Sequence, residues 1–460
     1  MANILKKLFN QSRFVDFLKS EDYTIYRIEF TFVEMKKLMI FLLVIFLLLV
    51  LIFVGLYTFS NDFAGLVKFY VPILFTKVDN VKDDITGPVV LDEGLFVEKF
   101  TEGLNLPTSM IIINDEILVA EQKTGKILKI LSNGVIQEEP VLEISVATKG
   151  LESGLLGLVN FEDDVYVYHT VQKNEETQRN IITKYDYDGN FLINPVKIQE
   201  VSGNSQGHNG GTMTISNNNE IFVSVGDAFT VNKYSNFDID TPHKSVKLPD
   251  QHIMYQADER NISSSILKIT NGEVEHFAVG IRNSFGLAVD PVTGFLWETE
   301  NGPHIYDEIN LIKEKFNGGW VVLAGPTIRE DGYNTFEDIE LKINFPGYEY
   351  GEPKFSWERP IGVTAIAFPE LTNQRYSDYL FVGDIANGIV YKFKLNENRD
   401  GFVFNNEQLK DLVFDRLENN NEIKFVTGIP GGITDILFYN NNMYIISFVD
   451  GSIFKISFDK

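Results

Sequence analysis

Ser109 to Ile130 reads SMIIINDEILVAEQKTGKILKI, and the reading of this stretch decides the fold. An apolar run from Met110 to Ile113 stops at Asn114-Asp115. A second, Ile117 to Ala120, ends on the polar pair Glu121 and Gln122. After Thr124-Gly125 a third run sets Lys126 and Lys129 among Ile127, Leu128 and Ile130. Short β-branched runs bounded by Asn, Asp and Gly are strands joined by tight turns.

The same signature returns along the chain. Gly154 to Tyr187 gives GLLGLV, DVYVYHT and IITKYDY, and Gly211 to Thr270 gives GTMTI, EIFVSVGD and SSILKIT. Phe285 to Ile312 gives FGLAVD, GFLWETENG and DEINLI. Val363 to Leu395 gives VTAIAF, YLFVGD and GIVYKFKL, and Ile433 to Ile456 gives ITDILF, NMYIISF and GSIFKI. A unit of three or four strands repeated every few tens of residues is the pattern of propeller blades, whereas sandwiches carry no such repeat. The expectation is an all-β six-bladed β-propeller over residues 91–460, with Leu95 to Phe100 as an outer strand closing the ring against the last blade. The 37 Phe, 19 Tyr and 35 Gly suit many short strands and tight turns.

Upstream, Leu38 to Phe59 reads LMIFLLVIFLLLVLIFVGLYTF without a charge. Crossing a bilayer takes roughly 20 apolar residues, so the segment is expected to be a single transmembrane helix preceding the propeller. It is too long for a signal-peptide core and lacks a small-residue cleavage site. Lys36 and Lys37 abut its start, with Lys6, Lys7, Arg13, Lys19 and Arg27 before them. The positive-inside rule then puts residues 1–37 in the cytoplasm, 38–59 across the cell membrane, 60–90 in a stem and the propeller outside.

The net charge of −24 disfavours nucleic acid, whose binding is dominated by basic contacts to phosphate. With no cysteine, disulfides, thiolate zinc sites and cysteine nucleophiles are excluded.

In a propeller, loops at one end of the central channel form the site. Three stretches carry chemistry there. GHNGGTMTI (Gly207 to Ile215) sets His208 among glycines that admit positive φ and a close ligand. It reads as a general base or as a turn histidine. VGIRNSFGLAVD (Val279 to Asp290) sets Arg282 and Asn283 before an inner strand, for an anion or for an inter-blade ion pair. ETENGPHIYDEIN (Glu298 to Asn310) gathers carboxylates, amides and a Gly-Pro turn, as a hard-cation site or a capped turn.

Taken in order, these stretches resemble the soluble glucose and sorbosone dehydrogenases that depend on pyrroloquinoline quinone (PQQ). ESGLLGLV with YVYHT (Glu152 to Thr170), SSSILKI, and NGGW (Asn317 to Trp320) extend the resemblance over most of residues 90–460. It implies an oxidoreductase that takes a hydride from a sugar or other alcohol to PQQ. His208 would be the base. Arg282 would stabilise charge on the cofactor, with Asn283, Asn301 and Asp307 at cofactor-site positions. Gly302 and Pro303 would offer carbonyls to the Ca²⁺ that polarises the quinone, and Glu308 would match a ligand of a structural calcium. Electrons would pass to a membrane or soluble acceptor.

The chain departs from the family where cations grip the cofactor. The last-blade arginines are replaced by Gly432, Ile433, Thr434 and Asp435, and the fifth-blade lysine by Ala386. The long insertion Phe229 to Asn261 offers His243, Lys244, Lys247 and Arg260 as substitutes. Two other functions follow from the same features. One is a non-catalytic propeller that binds a glycan or surface protein. The other is a calcium-dependent lactonase-like hydrolase using Asp227, Glu300, Asp384 and Asp435.

Overall fold

A computed structural model describes residues 87–228, 262–303, 305–327, 345–414 and 421–458. The expected transmembrane helix and the insertion with His243, Lys244, Lys247 and Arg260 lie outside the described residues. Among the described residues, no helix is long and apolar enough to cross a membrane.

Six sheets are present, one for each repeated unit. Their innermost strands are Pro107–Ile113, Leu155–Phe161, Met213–Ile215, Ser284–Val289, Val363–Ala367 and Ile433–Tyr439. We number the sheets one to six in that order. Each innermost strand contacts the next, and the last returns to the first, so the sheets close into a propeller-like ring. Within each sheet the strands of a unit run outward as an antiparallel meander.

The packing follows from the period of two along each strand. Met110 joins the cluster with Tyr444, Ile446 and Ile453 of sheet six, while its neighbour Ile111 joins that with Leu155, Leu158 and Val167 of sheet two. There are six such hydrophobic clusters, and each draws residues from two adjacent sheets. The core is therefore a set of six wedges, and the channel remains in the middle.

The chain closes its own ring. Val97–Glu102 pairs antiparallel with Ser452–Ser457 and becomes the outer strand of sheet six, as the sequence led us to expect. Just before it, Val89–Val90 pairs with Lys424–Thr427 at the edge of sheet five. The segment therefore straps two neighbouring sheets together, starting earlier than residue 91.

Five innermost strands carry a β-bulge at the same level, and the extra residues are Thr108, Leu156, Phe285, Thr364 and Thr434. All five line the central cavity. A bulge bends its strand and re-aims side chains, so the ring acquires a mouth whose lining differs from the packed wedges.

Candidate functional site

The cavity holds about 890 Å³ and opens among Glu152, His208, Arg282, Asn283, Asn301, Gly302 and Pro303. Its position follows from the bulges, and its chemistry from three loops that enter sheets two, three and four.

His208 lies in the Gly-His-Asn-Gly-Gly turn leading into sheet three. Its own φ is 55°, in the left-handed region that residues other than glycine seldom occupy. The conformation is held from several sides. Its backbone N–H donates to Glu152 Oε2 at 2.5 Å, and its carbonyl accepts from Ala228 N at 3.0 Å. Gly226 is needed opposite, because a Cβ there would stand 2.2 Å from the His208 carbonyl oxygen. Strain held by so many bonds is typical of functional sites.

The imidazole is buried, and its Nδ1 lies 2.7 Å from Asp227 Oδ1. An ionised carboxylate only accepts, so Nδ1 carries the proton and the basic lone pair is left on Nε2. Asp227 Oδ2 accepts from the indole Nε1 of Trp320 at 2.9 Å. The ring of Trp320 in turn lies 5.4 Å from the Arg282 guanidinium carbon. The proposed base and the proposed electrophilic cation are thus joined through two residues, neither of which the sequence had marked for this role.

Arg282 is half-buried on the cavity wall. Its backbone N–H donates to Glu300 Oε1 at 2.6 Å and Nη1 donates to the Asn301 carbonyl at 2.8 Å, while Nε has no hydrogen-bond partner among the described residues. Desolvation pulls its pKa down, and the carboxylates of Asp227, Glu152, Glu300 and Asp307 pull it back up. Arginine stays cationic through such changes. Asn283 is buried beside it, with Nδ2 donating to Glu152 Oε2 at 3.2 Å and Oδ1 accepting from Gly210 N at 3.3 Å. Glu152 therefore serves both the histidine turn and the arginine loop.

The remaining candidates divide. Asn301 lines the cavity, but its side-chain amide donates to the Val363 carbonyl of sheet five at 2.8 Å. Gly302 and Pro303 also line it. A Cβ on Gly302 would stand 2.0 Å from the Tyr306 carbonyl oxygen, so only glycine fits there. Asp307 does not reach the wall. Its carboxylate is fully buried, accepting from Gly302 N at 2.9 Å and from Ile361 N and Gly362 N at 2.7 Å each. Burial raises its pKa against those donors. It fixes the turn that presents Gly302 and Pro303.

Glu308 is also off the wall. It lies on the buried face of sheet four, where Glu300 stands opposite it across the strands and Glu298 opposite Asn310. Burial and mutual repulsion push Glu298 and Glu300 well above the usual carboxylate range. Among the described residues, no three acidic or histidine side chains converge in the geometry of a metal centre. The carboxylates considered for a hydrolase are each engaged separately. Asp227 meets His208, Glu300 the Arg282 backbone, Asp384 the Asn387 and Gly388 backbone, and Asp435 the Met110 and Ile436 backbone.

The residues present fit PQQ in part. The Arg282 guanidinium, with Nε unpartnered among the described residues, and the Gly302-Pro303 turn face one cavity and would suit its quinone oxygens. Thr434 and Asp435 on sheet six, and Ile385 and Ala386 on sheet five, bring no cation for its carboxylates. Arg282 is the one lysine or arginine on the described wall, against Glu152, Glu370 and Asp435.

The fold and site define a β-propeller with a histidine–carboxylate pair and an arginine at its channel mouth. The sequence profile described as Glucose / Sorbosone dehydrogenase matches residues 104–419, and the chain belongs to that family. It is 29% identical over 250 residues to quinoprotein glucose dehydrogenase B of Acinetobacter calcoaceticus, covering 48% of this chain and 51% of that one. The match thus spans about half the length of that relative. An uncharacterised protein of Synechocystis is 25% identical over 331 residues, covering 65% of this chain and 75% of its own. Among solved structures, the apo aldose sugar dehydrogenase of Escherichia coli aligns with TM-score 0.59 at 18% identity, over 79% of this chain and 99% of that one. The PQQ-bound aldose sugar dehydrogenase of Streptomyces coelicolor aligns with TM-score 0.56 at 18% identity, over 80% and 97%. At that identity the structural likeness establishes the fold alone.

Sequence reasoning missed Asp227 as the partner of His208, Trp320 as the partner of Asp227, and Glu152 as the clamp on both loops. A signal was present. Asp227 follows the strand Ile221–Val225, which pairs with the one His208 leads into, and the ends of such a hairpin meet.

Proposed function

We propose that this chain is a six-bladed, membrane-anchored dehydrogenase acting outside the cell membrane on the hydroxyl of a sugar or other alcohol, with PQQ and Ca²⁺ as cofactors. The observation that carries the reading is the His208–Asp227 pair, held in a strained turn at the cavity mouth. His208 Nε2 takes the substrate hydroxyl proton, and Asp227 stabilises the imidazolium that forms. Arg282 and Asn283 orient the ligand and Arg282 balances negative charge near it. Gly302 and Pro303 would offer carbonyl oxygens to a catalytic Ca²⁺, and Glu308 would hold a structural one. When bound, the quinone supplies the hydride acceptor and the divalent ion its polarisation. The anchor is the uncharged segment Leu38 to Phe59.

The test is dye reduction by the purified chain with PQQ, Ca²⁺ and a panel of aldoses and polyols. The expected result is turnover that disappears in His208→Ala. Absence of turnover together with absence of quinone binding by calorimetry would overturn the reading.

A second reading, a propeller that binds a glycan or surface protein without catalysis, is favoured by the single cation on the described wall. Carbohydrate capture indifferent to His208→Ala would support it.

A further inference from the structure

The chain has three tryptophans, Trp297, Trp320 and Trp357. Trp297 and Trp357 are buried in the wedge between sheets four and five, and neither indole N–H has a hydrogen-bond partner among the described residues. Trp320 differs. Its N–H meets Asp227 Oδ2 at 2.9 Å, and its ring lies beneath Arg282. Two of the three indoles stay buried with the N–H unpartnered, so the carboxylate contact singles Trp320 out.

The backbone is built to deliver it. Asn317-Gly318-Gly319-Trp320 lies directly against Val279-Gly280, two residues before Arg282. Gly318 N donates to the Val279 carbonyl at 3.0 Å, and Trp320 N donates to the Gly280 carbonyl at 3.1 Å. A Cβ on Gly280 would stand 2.3 Å from Asn317 Oδ1, and one on Gly318 2.6 Å from the Gly280 carbonyl oxygen. Both turns therefore need glycine to interlock. The interlock places one side chain within reach of Asp227 and Arg282 together.

We propose that Trp320 is the positioning residue of this site: its N–H fixes the Asp227 carboxylate against His208 Nδ1, and its ring carries the Arg282 guanidinium. The inference rests on the reading of His208 as the base. With Oδ2 held by the indole, Asp227 presents Oδ1 to the imidazole in one orientation, which keeps the proton on Nδ1 and the lone pair on Nε2. The indole also disperses the carboxylate charge, which moderates how strongly Asp227 favours imidazolium. Among the described residues, the charged groups around this unit are Glu152 on the His208 backbone, Glu300 on the Arg282 backbone, Asp307 near Arg282, and Arg282 itself. Trp320 acts through its neighbours and is not assigned a contact with substrate.

The experiment compares the full chain with Trp320→Phe, which keeps a ring and removes the N–H. The readout is the His208 imidazole titration by NMR on histidine-labelled protein, with His208→Ala to identify the resonance. Asp227 loses a donor in Trp320→Phe and favours imidazolium more strongly, so the His208 pKa is expected to rise by about half a unit or more. In an Asp227→Asn background the same change is expected to add no shift. An unchanged titration in folded Trp320→Phe would overturn the proposal, because a ring that only fills space is replaced by phenylalanine.

A measurement on the unmutated chain guards against a variant that does not fold. The Trp320 indole N–H resonance is expected to move with the His208 titration, and indifference to it would overturn the proposal. Where the chain turns over sugar, Trp320→Phe is expected to lower kcat about tenfold with KM unchanged. If no sugar is turned over, the proposed function fails while the titration still decides the role of Trp320.

Discussion

At the level of the bulges the ring has two halves. Sheets five, six and one close with threonine: Thr364 Oγ1 donates to the Ile433 carbonyl, Thr434 Oγ1 to the Pro107 carbonyl at 2.8 Å, and Thr108 Oγ1 to the Leu155 carbonyl at 2.9 Å. Each acceptor is the residue just before the bulge of the next sheet. Around sheets two to four the joints are made otherwise. Tyr168 reaches the Asn209 carbonyl, Ser224 the Ser284 carbonyl and Asn301 the Val363 carbonyl. Here the mouth carries Glu152, His208, Arg282 and Asn283. The closure half uses the extra residue of each bulge as the donor, while the chemistry of the other half comes from the loops that enter its sheets. Substitutions in the two halves should therefore separate activity from stability.

The largest effect is expected in the half that carries chemistry. His208→Ala should lower turnover by about 10²–10⁴-fold, the usual contribution of a positioned base. The thermal midpoint should fall only modestly, because Asp227 loses one donor but keeps the Trp320 N–H, and the Glu152 contact to the backbone N–H stays in place. Parallel steady-state and unfolding measurements check this, and a large fall in the midpoint would blur the division between the halves.

Next comes a buried ion pair away from the mouth. Arg399 Nε and Nη2 each donate to Asp290 at 2.7 Å, tying the turn after the innermost strand of sheet four to a loop of sheet five. Burial raises the Asp290 carboxyl, but Arg399, Thr293 and the Val292 N–H outweigh it and hold the group below its usual value. Asp290→Ala removes both 2.7 Å bonds of a buried guanidinium, leaving it the Ser377 carbonyl and the exposed Asp378, and should cost about 3 kcal/mol in denaturant unfolding. The His208 titration should not change.

Thr364→Val probes the closure half at smaller scale. It removes the donor to the Ile433 carbonyl and keeps the volume, so about 1–2 kcal/mol is expected. A change in His208 chemistry from this substitution would show that the halves are coupled.

Much of the fold was legible because wedge packing writes a period of two into every strand. Met110 and Ile111 face opposite neighbours, and both have to be apolar. The bulges were not legible, since one extra residue leaves no mark on an apolar strand such as Leu155 to Phe161. For the same reason the division of the site candidates was hidden. Asp307 and Gly302 share one motif, yet backbone amides of Ile361 and Gly362, more than fifty positions away, claim the carboxylate and leave the glycine on the wall. Sequence shows which side chains have the chemistry. Register decides which of them meet.

The smallest effect tests where the two halves face each other across the cavity. Asp435 stands on the sixth-sheet wall, accepting from Met110 N at 2.7 Å and Ile436 N at 2.9 Å. Burial pushes its carboxyl up to about 7 against those two donors. The folded state thus keeps a proton that the unfolded chain releases near pH 4, so this group's contribution to stability is lost as pH rises from about 4 through 7. Binding of a polyanionic quinone should follow the same proton. Below pH 7 Asp435 is neutral, and above it adds a carboxylate to those of Glu152 and Glu370 on the described wall, with Arg282 as the counter-charge. Quinone affinity should accordingly fall as pH rises through about 7, by no more than tenfold per unit for one linked proton. Asp435→Asn should flatten that dependence and leave the His208-dependent turnover in place. Calorimetric titration between pH 6 and 8.5 measures it. A flat profile in the unmutated chain would move the quinone's carboxylates away from sheet six and confine the ligand to the side of Arg282.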